Sequence, residues 1–371
     1  MLSRNPHIPY TRPLLPSLEK VHRLLEEIWD RGVVTNSGPI QAKFEESLRP
    51  AIGGGTQLFL ANGYSALRIM LAALGTQGQV IVSSFTHPAT VQAVLASGLE
   101  PVAVDIDPHD LNISVEAVAA AITSETIAIL ATHVFGNPSD VDELSRLADA
   151  HSLLLPFDAA AAVGVTYRGR PIGEYGNASA FSFHATKVLS VVEGGAVVFN
   201  DMETAAKARS LANFGIAEGG PLLAGMNAKG NEITAAIGLA SLPLVADEIE
   251  ARTRLRQQYS AHLDSLESMS VIPIRIRSVY NHSTFAVRAR TVDGRHFAEP
   301  LQGYLRARGI ESRRYFSGRY SNPLLNDRDH PHATQASEDV ICLPLWGSMS
   351  ARDVGEVCRT ISDFLSEASL R

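Results

Sequence analysis

The sequence predicts an α/β protein: a mostly parallel sheet covered by helices on both faces, followed by a smaller α/β unit. Three observations support that class. From about residue 57 to 199, short β-branched runs alternate with alanine- and leucine-rich segments of helical length. The runs are mostly apolar, as strands buried on both faces require. A long helical stretch at 233–268 separates this region from a second set of shorter elements, and 371 residues are enough for two cores.

In chain order, strands are expected at 57–61, 79–83, 100–104, 126–131, 153–157, 178–183 and 195–200. Helices are expected between them at 65–73, 88–97, 114–122 and 141–151. The last two strands are joined by too little chain for a crossover helix, so at least one pair is expected to be antiparallel. Pro243 interrupts the 233–268 stretch and predicts a kink or a break there. Strands at 271–276 and 284–292, a helix at 295–308 and a final helix at 351–368 complete the second unit. The Gly-, Arg- and Tyr-rich stretch 313–333 reads as a functional or a merely mobile loop. The expected division is 1–245 for the large domain with the N-terminal segment, and 246–371 for the small one.

Composition argues against several classes. A formal charge of -7 gives no general attraction for nucleic acid or an anionic membrane surface. No apolar run approaches a membrane span, and residues 1–16 hold no apolar signal core, so a cytoplasmic protein is expected. Cys342 and Cys358 read as small apolar fillers, and no metal-ligand spacing suggests a metal site.

The chemistry concentrates on Lys187, in Phe-Ser-Phe-His-Ala-Thr-Lys at the end of an apolar strand. A neutral lysine there can condense with an aldehyde and later move a proton, whereas a solvent-facing lysine is the bland alternative. Asp158 ends another apolar strand, where open α/β sheets bind ligands. The pair suggests a pyridoxal phosphate site, with an amine for the Schiff base and a carboxylate for the pyridine nitrogen. Taken alone, Asp158 also suits a helix N-cap. Asn62-Gly63-Tyr64-Ser65 lies between a strand and a helix and offers N–H groups to a phosphate, and Ser182 adds a hydroxyl. His87, with Phe85 as competitor, is a flat side chain suited to covering a pyridine ring, and His133 and His184 are candidates for contact with substrate or cofactor. Asp105 and Asp107 are read as structural strand-end acids. Dinucleotide and Walker glycine fingerprints are missing.

Taken in order, these blocks resemble the sugar aminotransferase family, pyridoxal phosphate enzymes of fold type I. The likeness runs from Ser37-Gly38-Pro39 and Phe44-Glu45 through Gly63, Ala66-Leu67, Thr86 with Ala89-Thr90, and Asp105-Ile106-Asp107. It continues through His133-Val134-Phe135-Gly136, Asp158-Ala159-Ala160, Phe181-Ser182-Phe183-His184 with Lys187, and Glu193-Gly194-Gly195. It covers nearly the whole chain. It implies an aspartate-aminotransferase-like fold: a large, mostly parallel seven-stranded sheet domain plus a smaller C-terminal α/β domain.

The resemblance also implies roles. Lys187 matches the Schiff-base lysine and Asp158 the carboxylate on the pyridine nitrogen. Ser182 and the Gly63–Tyr64 turn match phosphate contacts, and His87 takes the place of the stacking aromatic. Asn227, in Gly225-Met226-Asn227-Ala228-Lys229, matches a residue that reaches the cofactor phosphate of a neighbouring subunit, so the implied unit is a homodimer with shared sites. Thr35, His184, Lys229, Arg313, Arg314 and Tyr315 are the implied substrate contacts. Four departures stand out: Ala161 where Gln or His is usual, Tyr64 for Thr, Val192 for Gly, and Lys229 for Arg. The implied reaction moves an amino group from L-glutamate to a nucleotide-linked, by resemblance dTDP-linked, 4-keto-6-deoxyhexose at C4. Amination at C3, amination of a cyclitol, β-elimination and a non-catalytic cofactor-binding role are the alternatives.

Overall fold

The structure, a computed structural model, describes residues 8–75, 77–217, 220–221, 224–316 and 330–368. Its large sheet holds seven strands. These are β1 (Thr56–Leu60), β2 (Gln79–Ser83), β3 (Glu100–Val104), β4 (Thr126–Thr132), β5 (Pro156–Asp158), β6 (Ala178–Ser182) and β7 (Gly195–Phe199). Their spatial order is β1-β7-β6-β5-β4-β2-β3. The five strands from β2 to β6 are mutually parallel, and β7 runs antiparallel to both of its neighbours, as the short link before it requires. Because β1 opposes β7 and β7 opposes β6, the carboxyl end of β1 lies on the same edge as those of β2, β4, β5 and β6. Every candidate cofactor residue before position 190 leaves the sheet along that edge, on both sides of the strand-order reversal where such sheets bind ligands.

Helices cover both faces. In chain order they are α1 (Leu18–Arg31), α2 (Pro39–Ser47), α3 (Gly63–Leu74), α4 (Pro88–Ala96), α5 (Val115–Ala121), α6 (Val141–His151), α7 (Met202–Leu211) and α8 (Glu232–Ser241). Strand alternation feeds two cores: Leu58 and Leu60 point into one layer, while Phe59 between them joins Phe44, Phe157, Phe181 and Phe183 in the other. The expected helical stretch 233–268 breaks at Pro243 into a short 3₁₀ turn and continues as α9 (Val245–Leu263).

The small unit packs β8 (Met269–Val271), β9 (Phe285–Ala289) and β10 (Val340–Leu343) into an antiparallel sheet under α10 (Ala298–Ala307), α11 (Pro331–Asp339) and α12 (Ala351–Glu367). A buried pair locks α9 onto it: Arg252 Nε donates to Glu248 Oε1 at 2.7 Å, and Arg252 Nη1 reaches the carbonyls of His282 and Ser283. Four expectations shift. The N-terminal segment is divided: Ile8 pairs with Ile310 and Leu345 N donates to the Tyr10 carbonyl, while α1 packs into the large core through Ile28. The strand at 271–276 shrinks to β8, and Ser278–Val279 pairs with Thr166–Tyr167 instead. The fifth strand starts three residues later than expected, at Pro156–Asp158. Within the 313–333 stretch, residues 317–329 lie outside the described residues, and its end already belongs to α11, which runs straight into β10.

Candidate active site

Lys187 sits in the link from β6 to β7, a folded loop rather than a free one. Phe183 N donates to Gly194 O at 2.8 Å, Ala185 N to Val192 O at 3.1 Å, and Lys187 N to His184 O at 2.8 Å. Val188, Leu189 and Val191 drop into the core and anchor the turn. Val192 holds φ at +76°, the left-handed region that a β-branched residue rarely adopts and glycine tolerates freely. This explains physically why glycine suits that position. Burial depresses the Lys187 pKa from the ordinary lysine value, the Asp158 charge opposes the shift, and the Arg313 charge adds to it. The result favours the neutral amine that carbonyl chemistry needs.

Asp158 ends β5 and is 4% exposed. Its Oδ2 accepts from Thr90 Oγ1 at 2.7 Å, and its Oδ1 accepts from Ala160 N at 3.1 Å. The alanines after it form turns, not a helix, so the N-cap alternative fails. Two donors and no acceptor face the carboxylate, which suits a negative charge.

The turn after β1 is built against β6 and β7. Asn62 Oδ1 caps α3 by accepting from Ser65 N at 2.8 Å. Gly63 lies so close to Ser182 that a Cβ there would come within 2.7 Å of the serine Cβ, and a Cβ on Gly195 would fall 2.6 Å from the Asn62 carbonyl carbon. The first N–H groups of α3, those of Gly63 and Tyr64, therefore open beside the Ser182 hydroxyl, an arrangement that fits a phosphate.

His87 stands at the exposed N-terminus of α4, its Nδ1 accepting from Ala89 N at 3.1 Å. Partial burial lowers its pKa, and the Lys187 charge lowers it further. Phe85, the competing candidate, is 1% exposed and packs against Phe316 at 5.0 Å, inside rather than at the mouth. His184 Nδ1 accepts from Thr186 N at 3.3 Å, which leaves Nε2 facing Glu193 at 3.7 Å. His133 is buried and stacked on Phe157 at 4.6 Å, and burial holds its pKa down to about 3, so it is a neutral core residue. Ala161 contributes its carbonyl to Asn281 Nδ2 at 2.7 Å and, being alanine, no side-chain donor.

Adjacent residues of the extended segment that pairs beside β10 part company. Arg313 turns toward the site: Nη1 donates to Tyr315 Oη at 3.0 Å, its guanidinium lies 4.4 Å from the Tyr10 ring centroid, and its charge acts on Lys187. Arg314 turns the other way, donating to Ser337 O at 3.2 Å and pairing with Glu299 at 3.3 Å. Its side chain thus braces α10 and α11 rather than facing a substrate, since neighbours on an extended chain point to opposite sides.

Thr35, Asn227 and Lys229 form a separate group. Lys229 Nζ donates to Asn213 Oδ1 at 2.7 Å and Asn227 Oδ1 at 2.8 Å, over the Phe214 ring, while Thr35 pairs with Asn231. Lys229 lines a groove of about 420 Å³ with Asn36, Ser37, Gln41 and Arg209. Sequence reasoning missed Thr132 and Glu232, and quoted Thr86 and Thr90 without a role. Glu232, wholly buried, accepts from the N–H groups of Ile40 and Gln41 at 3.1 and 2.7 Å, so the Ser37-Gly38-Pro39 block is the start of α2 seated on a carboxylate. Asp105, read as structural, caps α11 by accepting from His332 N and Ala333 N at 3.0 and 2.9 Å. Both cysteines are free and buried, and no candidate metal cluster occurs among the described residues.

A half-buried lysine and a buried carboxylate on one edge of a seven-stranded, mostly parallel sheet, beside a helix start that fits a phosphate, define a pyridoxal phosphate enzyme of fold type I. The chain belongs to the DegT/DnrJ/EryC1/StrS aminotransferase family, whose model matches residues 18–362. It is 34% identical over 364 residues to the dTDP-4-amino-4,6-dideoxy-D-glucose transaminase of Shigella dysenteriae, covering 95% of this chain and 98% of that one. It is 30% identical to the GDP-perosamine synthase of Escherichia coli O157:H7, covering 97% and 99%. A crystal structure of DesI in the presence of its TDP-sugar product superposes with a TM-score of 0.87 at 33% identity, covering 96% of this chain and 92% of that one. The protein is a nucleotide-sugar aminotransferase with pyridoxal phosphate as cofactor.

Proposed function

We propose that this enzyme transfers the amino group of L-glutamate to C4 of a dTDP-linked 4-keto-6-deoxyhexose, giving the 4-amino-4,6-dideoxyhexose nucleotide. The observation that carries the site assignment is geometric: Lys187, the buried Asp158 carboxylate and the Gly63–Ser182 contact all lie along the carboxyl edge of one sheet. The likeness to the Shigella transaminase supports the nucleotide and the position. Bound here, pyridoxal phosphate supplies an aldehyde for the amine and a ring that takes up the electron pair freed at the substrate carbon.

The residues do the rest. Asp158 holds the ring nitrogen through its ionised carboxylate, the Gly63 and Tyr64 N–H groups with the Ser182 hydroxyl hold the phosphate, and His87 covers the ring. Lys187 would hold the cofactor through its aldehyde and, with its amine free, would take a proton from the donor carbon and deliver one to C4 of the sugar. Arg313 and Tyr315 bind the sugar nucleotide, with the guanidinium matched to the diphosphate oxygens. His184 lies beside the same opening.

Asn227, Lys229 and Thr35 belong to the second site of a homodimer: Thr35 and Asn227 are exposed and Lys229 half-buried, with the exposed apolar side chains of Phe214 and Ile216 nearby. A cytoplasmic location agrees with two free cysteines. Among the described residues no helix is long and apolar enough to cross a membrane. The test is an absorbance titration with pyridoxal phosphate, then L-glutamate, then dTDP-, UDP- and GDP-linked keto-sugars, with products resolved by mass and NMR. Loss of the visible band with glutamate and its return with the dTDP-4-keto-sugar is the expected result. A product aminated at C3, or a band that glutamate leaves unchanged, overturns the assignment.

A further inference from the structure

Behind Asp158 lies a row of three buried threonine hydroxyls. Thr90 Oγ1 is 2.7 Å from Asp158 Oδ2, Thr86 Oγ1 is 2.9 Å from Thr90 Oγ1, and Thr132 Oγ1 is 2.9 Å from Thr86 Oγ1. They come from three places: the loop after β2, the first turns of α4, and the last residue of β4. Thr86 and Thr90 are at most 1% exposed and Thr132 is 8% exposed, so bulk water does not compete for them.

Hydrogen counting fixes the direction of the row. A hydroxyl has one hydrogen, and an ionised carboxylate can only accept. Thr90 therefore spends its hydrogen on Asp158. In the contact between Thr86 and Thr90, Thr86 must then be the donor. Its hydrogen being used, Thr132 must donate to Thr86. All three O–H dipoles point the same way, toward the carboxylate, and hydrogen bonds in such a series polarise one another.

We propose that Thr90, backed by Thr86 and Thr132, is a positioning residue for the amino-transfer reaction: the one-way hydroxyl row holds Asp158 in place and keeps the proton it shares with the cofactor ring on the ring nitrogen. The inference rests on the assignment of Asp158 to that nitrogen. Removing the Thr90 hydroxyl leaves Oδ2 without its donor and the Thr86 hydrogen without its acceptor, so the carboxylate becomes a stronger competitor for the shared proton. The cofactor ring then loses both hold and electron-withdrawing power, while phosphate contacts at Gly63 and Ser182 stay intact.

The test compares Thr90→Val, which keeps the shape and removes the hydroxyl, with Thr90→Ser, which keeps the hydroxyl. Cofactor dissociation constants come from titration of the cofactor-free protein, and the pH dependence of the visible absorbance band is recorded for each. Thr90→Val is expected to weaken cofactor binding about 10- to 100-fold and to shift the pH profile, beyond what any loss of stability read from the melting temperature of the cofactor-free protein accounts for. Thr90→Ser is expected to restore both. Thr86→Val, one link further away, is expected to act in the same direction and more weakly, and it replaces Thr90→Val if that variant does not fold. An unchanged affinity and pH profile in both valine variants overturns the proposal, as does a serine variant as impaired as the valine one. Asp158→Asn separates the two levels: if it leaves the cofactor band unaltered, the Asp158 assignment itself falls; if it alters the band while the valine variants do not, only the hydroxyl row falls.

Discussion

Gly63→Ala tests the phosphate cradle. An alanine Cβ would lie 2.7 Å from Ser182 Cβ and 3.0 Å from its Oγ. Carbon atoms settle at about 3.5 Å or more, so something must move by about 0.8 Å. Ser182 is 8% exposed and pairs with Gly195 inside the sheet, so it has no room to retreat. The start of α3 moves instead, and the N–H groups of Gly63 and Tyr64 move with it. Losing one hydrogen bond to a charged acceptor costs about 1.5–3 kcal/mol, roughly a 10- to 150-fold weaker complex. The overpacking itself costs about 1–3 kcal/mol of stability. The assay is titration of cofactor-free protein with pyridoxal phosphate and, separately, with pyridoxal. The variant is expected to lose affinity for the phosphorylated form and to keep its affinity for pyridoxal. Pyridoxal phosphate affinity within about twofold of the parent, or an equal loss for both compounds, refutes the reasoning.

Three further outcomes are expected. Lys187→Ala abolishes amino transfer and the covalently held cofactor, which borohydride reduction followed by mass spectrometry reads directly; a retained adduct on another lysine would move the assignment. The His133 pKa is held to about 3, well below the ordinary histidine value of 6.5. As pH falls through 6.5 the unfolded chain takes up a proton that the folded one does not, so stability declines by up to about 1.4 kcal/mol per pH unit. His133→Phe, which keeps the stack on Phe157, is expected to flatten that decline in urea unfolding between pH 7.5 and 5 by removing one histidine's share, leaving that of His282, held to about 4. Glu232→Ala strands the N–H groups of Ile40 and Gln41 and is expected to cost about 2–6 kcal/mol, with Glu232→Gln milder; a loss under about 0.5 kcal/mol in chemical denaturation would deny the capping role.

What was legible in the sequence was what local pattern controls. Strands β2 and β3 and helix α6 fall on the expected residues. For α6 the signals are all local: Asp140 caps it, Asp142 and Glu143 occupy its first turn, and Ser152 ends it in the left-handed region. Helix α11 shows the opposite case. Its nine residues carry no apolar face that reads as a stripe, and its N-terminal donors are satisfied by Asp105 from another domain. The same reasoning separates Arg313 from Arg314. Alternation says that they face opposite ways, but only the pairing of Arg313 with Cys342 decides which one faces Lys187. The hydroxyl row behind Asp158 joins three segments and was legible only as a motif without a role.

That division of labour bears on how the site works. Lys187 and Asp158 belong to the large sheet, whereas Arg313 is paired to β10 of the small unit and stacked on Tyr10 from the N-terminal segment. The two charged neighbours act on Lys187 in opposite senses, Asp158 raising its pKa and Arg313 lowering it. A sugar nucleotide whose diphosphate pairs with Arg313 would offset that positive charge and make the Lys187 amine more basic. Burial and Arg313 thus favour the neutral amine before the sugar arrives, the form able to accept a proton. A diphosphate bound at Arg313 would favour the protonated amine, the form able to deliver a proton to carbon. Asp105 ties the two units together beside that site by capping α11, which runs into the strand that Arg313 pairs with.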